Sequence, residues 1–149
     1  MTNGVQKEAL AVDVAAYILT RLGEMTAMKL QKLLYYCQAW SLVWDEEPMF
    51  PEEIQAWANG PVVREVFNQH RNMFKISSIN GDPAKLSETQ TETISAVLEH
   101  YGDKDSQWLS ELTHMEDPWK NARASLPPGV RSNNVINHAS MMEYYSSLV

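Results

Sequence analysis

Apolar residues recur along most of this chain at helical spacing. Ala11, Val14, Ile18 and Leu22 share one face and Gly23 is placed to stop the turn, which predicts a helix from about 10 to 22. Thr26 stands where an N-cap belongs. Behind it, Leu30, Leu33, Leu34, Cys37, Trp40 and Trp44 form the most regular apolar stripe, predicting a second helix that ends near Asp45, ahead of Pro48. Pro48 and Pro51 then interrupt, and Glu53 to Trp57 alternates as a short extended segment. Asn59-Gly60-Pro61 reads as a turn into a new helix, with Pro61 at its first position and Val63, Val66, Phe67 and His70 following. Phe74 to Ile79 alternates weakly and is expected to pair with the 53–57 segment as a ribbon, before the turn dipeptide Asn80-Gly81.

Ser87 and Gln90 make a capping-box pattern for a helix that buries Ile94, Val97, Leu98 and Tyr101 and stops at Gly102. Asp105 or Ser106 opens a shorter helix through Trp108, Leu109 and Leu112, interrupted at Pro118. Pro127-Pro128-Gly129 is a rigid turn, and Asn137 caps a last helix carrying Met141, Tyr144, Tyr145 and Leu148. The expected fold is mainly α: a compact single domain over 9–149 of about six helices with at most a short two-stranded β ribbon, preceded by a flexible tail over 1–8.

Composition and charge narrow the function. With 12 Lys+Arg against 19 Asp+Glu, the 149-residue chain has a net charge of −7, which argues against nucleic acid as the main ligand and permits a basic protein partner. The acidic residues concentrate in two groups, Glu88 to Asp117 and Asp45 to Glu53. No apolar run approaches the ~20 residues of a membrane span, and Met1 to Leu10 lacks the pattern of a secretory signal. One cysteine, Cys37, excludes an internal disulfide framework, and these features together favour the cytoplasm.

Candidate chemistry is thin. His114-Met115-Glu116 matches the H-x-E of zinc nucleobase deaminases, but their P-C-x-x-C is missing: Pro118 is followed by Trp119, and the single cysteine lies upstream. His114 and Glu116, two apart, would not face each other on a helix; the blander reading has His114 near a helix end and Glu116 solvated. No G-x-S-x-G, Walker or Rossmann pattern occurs, so no catalytic residue, metal or cofactor is assigned. Cys37, Trp40 and Trp44 fall on the apolar stripe and read as core. Trp57 and Trp119 adjoin turns, where a tryptophan pins a loop to the core or serves as a partly exposed interface anchor.

Three blocks nevertheless form a recognisable order: Met28 to Trp40, with its Lys29-Leu30-Gln31-Lys32-Leu33 core; Pro48-Met49-Phe50 followed by Glu53-Ile54-Gln55-Ala56-Trp57-Ala58-Asn59-Gly60-Pro61-Val62; and Leu112-Thr113-His114 before Pro118-Trp119, with Tyr144-Tyr145 closing the chain. The chain resembles the SocA-like, or Panacea, antitoxin domain family, with Met49 where the family pattern has leucine. The resemblance implies a small helical cytoplasmic protein of bacteria or their phages. Its expected role is that of the antitoxin of a two-gene toxin–antitoxin module, a setting that includes phage defence, and not that of an enzyme. The expected partner is an adjacently encoded toxin neutralised by direct binding, with translation-blocking nucleotide-transferring enzymes among the toxins paired with the domain. The alternative it implies is a proteolytic adaptor delivering the toxin to a AAA+ protease. Of the matching positions, Trp57, His114, Glu116 and Trp119 are expected nearest a shared partner-binding surface. Leu30, Leu34, Gly60, Pro61, Thr113 and Pro118 are expected to be scaffold. The expected mechanism sets the acidic 88–117 face, with an aromatic anchor, against a basic groove of the toxin.

Overall fold

The computed structural model describes residues 8–149; the tail expected over 1–8 lies, but for Glu8, outside the described residues. Helix α1 (Ala11–Leu22) forms where its apolar spacing predicts, and Gly23 ends it at φ 79°, a conformation that favours glycine. The buried Asp13 carboxylate accepts the Leu10 N–H at 2.8 Å and the Asp82 N–H at 2.8 Å, tying the helix start to a distant loop. Strand β1 (Met25–Thr26) leads into α2 (Ala27–Trp44), with Thr26 Oγ1 accepting the Lys29 N–H as an N-cap.

Helix α2 is the axis of the molecule. Every residue from Leu30 to Leu42 is buried, including Gln31, Lys32 and Gln38. A helix enclosed on all sides needs more than one apolar stripe, and α2 uses its amides for the polar faces. Gln38 accepts the N–H groups of Met49 and Phe50 (2.7 and 3.2 Å) and donates to the Phe50 carbonyl (2.9 Å). Gln31 accepts the Val63 N–H (2.8 Å) and donates to the Val63 carbonyl (3.2 Å). These two side chains satisfy the irregular backbone that the prolines create. Trp44 departs from the core reading: Trp40 is 7% exposed but Trp44, at the last turn, is 47% exposed and stacks on Trp40 at 4.9 Å.

The β content differs from the expected ribbon. Strand β2 (Ile54–Trp57) pairs antiparallel with β3 (Gly60–Val62) as a tight hairpin and, on its other edge, with β5 (Val135–Ile136). The 75–76 segment, β4 (Lys75–Ile76), pairs instead with β1. The hairpin wins because a two-residue connection costs little loop-closure entropy. Pro61 does not open a helix: it lies in β3 opposite Ala56, on an edge strand where its missing N–H is harmless. Helix α3 (Arg64–His70) begins three residues later with Val63 at the N-cap, its N–H held by Gln31 in place of a side-chain cap of its own.

Helix α4 (Glu88–Tyr101) starts at the Ser87/Gln90 capping box, and α5 (Ser106–Met115) at Asp105, whose carboxylate accepts the Trp108 N–H at 2.8 Å. Pro118 sits in the first turn of α6 (Asp117–Arg123), and Asn137 caps α7 (His138–Ser146). Helices α1, α4, α5 and α7 pack around α2, with the β2–β3 hairpin closing one side. Seven α-helices among the described residues, 56% of the structure, place the chain in the mainly α class with two small sheets. No helix among the described residues is long and apolar enough to cross a membrane.

Candidate functional site

Three of the motif blocks meet at the β2–β3 hairpin. The Trp119 indole N–H donates to the Trp57 carbonyl at 2.9 Å, and Arg123 Nη1 donates to the Ala56 carbonyl at 3.2 Å, so α6 is clamped along β2. Arg123 Nη2 also reaches the carbonyls of Pro127 and Val130 (3.2 and 2.6 Å), fixing the loop that delivers β5. From the other side, Ser110 of α5 donates to the Asn59 carbonyl at 3.1 Å. His114 lies flat on Trp119, ring centroids 4.1 Å apart at 19°, and the Arg123 guanidinium packs over the same indole at 5.0 Å. Trp57 itself packs edge-on against Phe67 at 4.8 Å.

Behind the hairpin turn lies a buried cation. Gly60 has φ 125°, and a Cβ there would stand 2.4 Å from Lys32 Cε and 2.9 Å from Lys32 Nζ. Lys32 is fully buried, its Nζ has no hydrogen-bond partner among the described residues, and burial lowers its pKa to about 8. His114 Nε2 is likewise buried and without a partner among the described residues. Desolvation lowers the His114 pKa, and the positive charges of Lys32 and Arg123 add to this against the opposing Asn59 carbonyl. The imidazole is therefore held toward its neutral form.

Glu116 is not solvated; it is 5% exposed. Its Oε1 accepts hydrogen bonds from the hydroxyls of Tyr36 and Tyr145, both at 2.7 Å, and the Tyr145 hydroxyl is bonded to that of Tyr35 at 2.9 Å. Tyr36 and Tyr101 stack at 4.1 Å beside this cage. Burial raises the Glu116 pKa above the ordinary carboxylate value, opposed by the two hydroxyl donors. The same burial raises Tyr35, Tyr36 and Tyr145 and pushes Tyr101 up to about 12, so all four phenols stay neutral. Glu116 joins α2 to α7 across the α5–α6 junction.

The structure thus brings Trp57, His114 and Trp119 together and sets Glu116 apart, on the far side of the α5–α6 corner, in a tyrosine cage. Trp119 (9% exposed) and Glu116 present little surface, whereas Trp57 and His114 are half-buried. Leu30, Leu34 and Thr113 are fully buried, Gly60 and Pro61 build the hairpin and Pro118 starts α6. The sequence pointed to the acidic 88–117 region, which contains α5, but did not single out an exposed apolar stripe on the outward face of that helix. There Trp108 is 43% exposed and Met115 66%, with the half-buried Leu112 between them, while Leu109 and Thr113 point inward. The signal was present: α5 carries apolar residues on both faces, more than one core contact uses. Asp103, Asp105, Glu111 and Asp117 are exposed on α5 and at its two ends, and Glu88, Glu92 and Glu99 are exposed on α4. Lys104 lies over the Trp108 ring at 5.1 Å. Among the described residues, no group of three or more His, Cys, Asp or Glu is placed to hold a metal ion.

No curated protein and no solved structure matches the chain significantly. The family model described as antitoxin SocA-like, Panacea domain, matches residues 30–120, a span that contains α2 from Leu30 onward, the β2–β3 hairpin and the His114–Trp119 stack. Covering more than half of the chain, that match makes this protein a member of the SocA-like antitoxin family.

Proposed function

We propose that the chain acts stoichiometrically, binding a cognate toxin directly through the outward face of α5 and blocking it without chemistry of its own. The observation that carries this reading is exposed Trp108 and Met115, with half-buried Leu112 between them, on a helix with exposed carboxylates along it and at its two ends. Tryptophan is among the residues most enriched at interface hot spots, and flanking apolar side chains add contact area to such an anchor. The surrounding negative charge suits a basic toxin surface, such as the substrate groove of an enzyme that acts on phosphorylated substrates, and speeds the encounter. Trp57 and Trp119 act in this reading mainly by fixing α6 against the hairpin, and Glu116 by fixing the α5–α6 corner against α2 and α7. The expected setting is the cytoplasm, where toxin and antitoxin are made together.

The test is co-expression with the neighbouring reading frame, followed by titration calorimetry with the purified partner. Growth arrest by the neighbour alone, rescue by this chain and a fixed-ratio complex are expected. Trp108→Ala and Met115→Ala should each weaken binding by about 2 kcal/mol or more, and Glu111→Lys should slow association and reduce its salt dependence. Rescue that needs a AAA+ protease, leaves less toxin and yields no stable complex would replace this reading with that of an adaptor. Rescue at substoichiometric amounts, lost in His114→Ala, would replace it with an enzyme.

A further inference from the structure

A cleft without carboxylates opens between α3, the β2–β3 hairpin, the first turn of α2 and the loop at 131–133. Its cavity volume is about 730 Å³, within the ~300–1,000 Å³ usual for small-molecule sites. Arg64 and Arg71, at the two ends of α3, and Arg131, from the loop before β5, all line it, together with Trp57 and Phe67. No aspartate or glutamate does. In a chain of net charge −7, three guanidiniums from separate positions gather where no carboxylate answers them. Among the described residues, none of the three makes an ion pair; the two salt bridges there join Lys104 to Asp103 and Lys120 to Asp117.

The aromatic part of the cleft is pre-set. The Trp57 indole N–H is spent on Gln55 Oε1 at 2.8 Å, its ring meets Phe67 at 4.8 Å, and the Arg71 guanidinium rests over Phe67 at 5.5 Å. Gln31 and His70 form a buried floor and satisfy one another, Gln31 Nε2 donating to His70 Nε2 at 2.9 Å. Burial lowers the pKa of His70, consistent with that acceptor role. The floor asks nothing of a ligand; the walls offer flat apolar rings and unpaired planar cations. Guanidinium forks suit phosphate oxygens, and an aromatic wall suits a base of any identity.

We infer that this cleft binds a nucleoside polyphosphate, the base against Trp57, which Phe67 braces, and the phosphates on Arg64, Arg71 and Arg131. A bare inorganic anion would use the cations and leave the rings idle, and a neutral nucleoside would do the reverse. The site is separate from the α5 face and stands or falls independently of toxin binding.

The experiment is titration calorimetry of the whole protein with ATP and GTP, and with tripolyphosphate, adenosine and a short single-stranded RNA as comparisons. Saturable binding of a nucleoside triphosphate is expected, with tripolyphosphate and adenosine each weaker by about tenfold or more. Arg71→Gln and Arg131→Gln, both at exposed positions whose loss leaves the core untouched, should each weaken it by about fivefold or more, and added salt should weaken it further. No saturable binding up to about 5 mM overturns the proposal. Equal binding of tripolyphosphate also overturns it, leaving an anion patch. So does unchanged affinity in both arginine variants. Preference for the RNA over the mononucleotides overturns the assignment to a free nucleotide. The three ligand comparisons use the unaltered protein, so their outcome does not depend on whether a variant folds.

Discussion

Gly60 is required twice over, by a φ of 125° and by the Lys32 side chain that occupies the place of its Cβ. The φ alone strains any side chain at this position, whether or not the Lys32 chain shifts aside, so Gly60→Ala should cost about 1–3 kcal/mol in urea unfolding, and an unaltered midpoint would refute the strained turn. Lys32 carries the opposite sign. Its pKa is lowered to about 8, so the folded state disfavours the charged form. That penalty is present in full below pH 8 and is relieved as the pH rises from about 8 to the ordinary lysine value of about 10.4. Lys32→Met should therefore stabilise the protein at pH 7, by on the order of 3 kcal/mol, and flatten the rise in stability above pH 8; denaturant midpoints across pH 6–10 decide it. Glu116 behaves differently again. Its pKa is raised in the fold, so its contribution is largest at and below the ordinary carboxylate pKa of about 4.3 and is lost as the pH climbs through the higher folded value. Relative to Glu116→Gln, which lacks that titration, the wild-type protein should lose stability from pH 4 to 7. A difference that stays level or grows with pH would show that the two tyrosine donors outweigh burial.

At the scale of elements, polar side chains on an otherwise apolar helix hold the irregular segments in place. Gln38 closes three hydrogen bonds with the backbone of Met49 and Phe50. Gln38→Leu would strand two buried N–H groups and a carbonyl, for an expected loss of about 2–4 kcal/mol, and hydrogen exchange should show the amides of 49 and 50 losing protection before those of α2. A loss spread evenly over the molecule would argue that the 48–53 segment is held by apolar contact alone. The same logic explains what periodicity missed. Spacing located α1, α2, α4 and α7 because their apolar rows are long. It misassigned 59–63 because Asn59-Gly60-Pro61 satisfies a helix start and a hairpin equally well, and only the Gln31 bonds to Val63 and the clamp of α6 on β2 select the hairpin.

For the whole molecule, the distribution of charge matters more than its sum. The acidic α4–α5 side and the arginine-lined cleft are separate features of one small body. A net charge of −7 argued against a phosphate ligand for the chain as a whole, but it could not register three arginines converging from positions 64, 71 and 131. If the α5 face is the toxin-binding surface, charge reversal there should alter toxin association and leave nucleotide affinity unchanged, while Arg131→Gln should do the reverse. Parallel titrations of both variants with both ligands read this directly, and a loss of both interactions in either variant would mean that the two regions are coupled. Much of the candidate surface stayed hidden in the sequence because exposure is a property of neighbours. Trp108 and Trp119 are both tryptophans in short helices beside turns, yet one caps the surface and the other lies under His114 and Arg123.

The sequence by itself determined the mainly α class, the helix starts at Thr26, Ser87 and Asn137, a further start at Asp105 or Ser106, the buried state of Cys37 and the order of the family blocks. These rest on local chemistry: side-chain caps, apolar spacing and turn residues act within a few positions. Tertiary structure decided which strands pair, that Glu116 and Lys32 are buried ionisable groups, that Trp44 and Trp108 face water, and that Arg64, Arg71 and Arg131 share a cleft. Each of these depends on residues far apart in the chain meeting in space, and long-range packing sets that meeting, not local propensity.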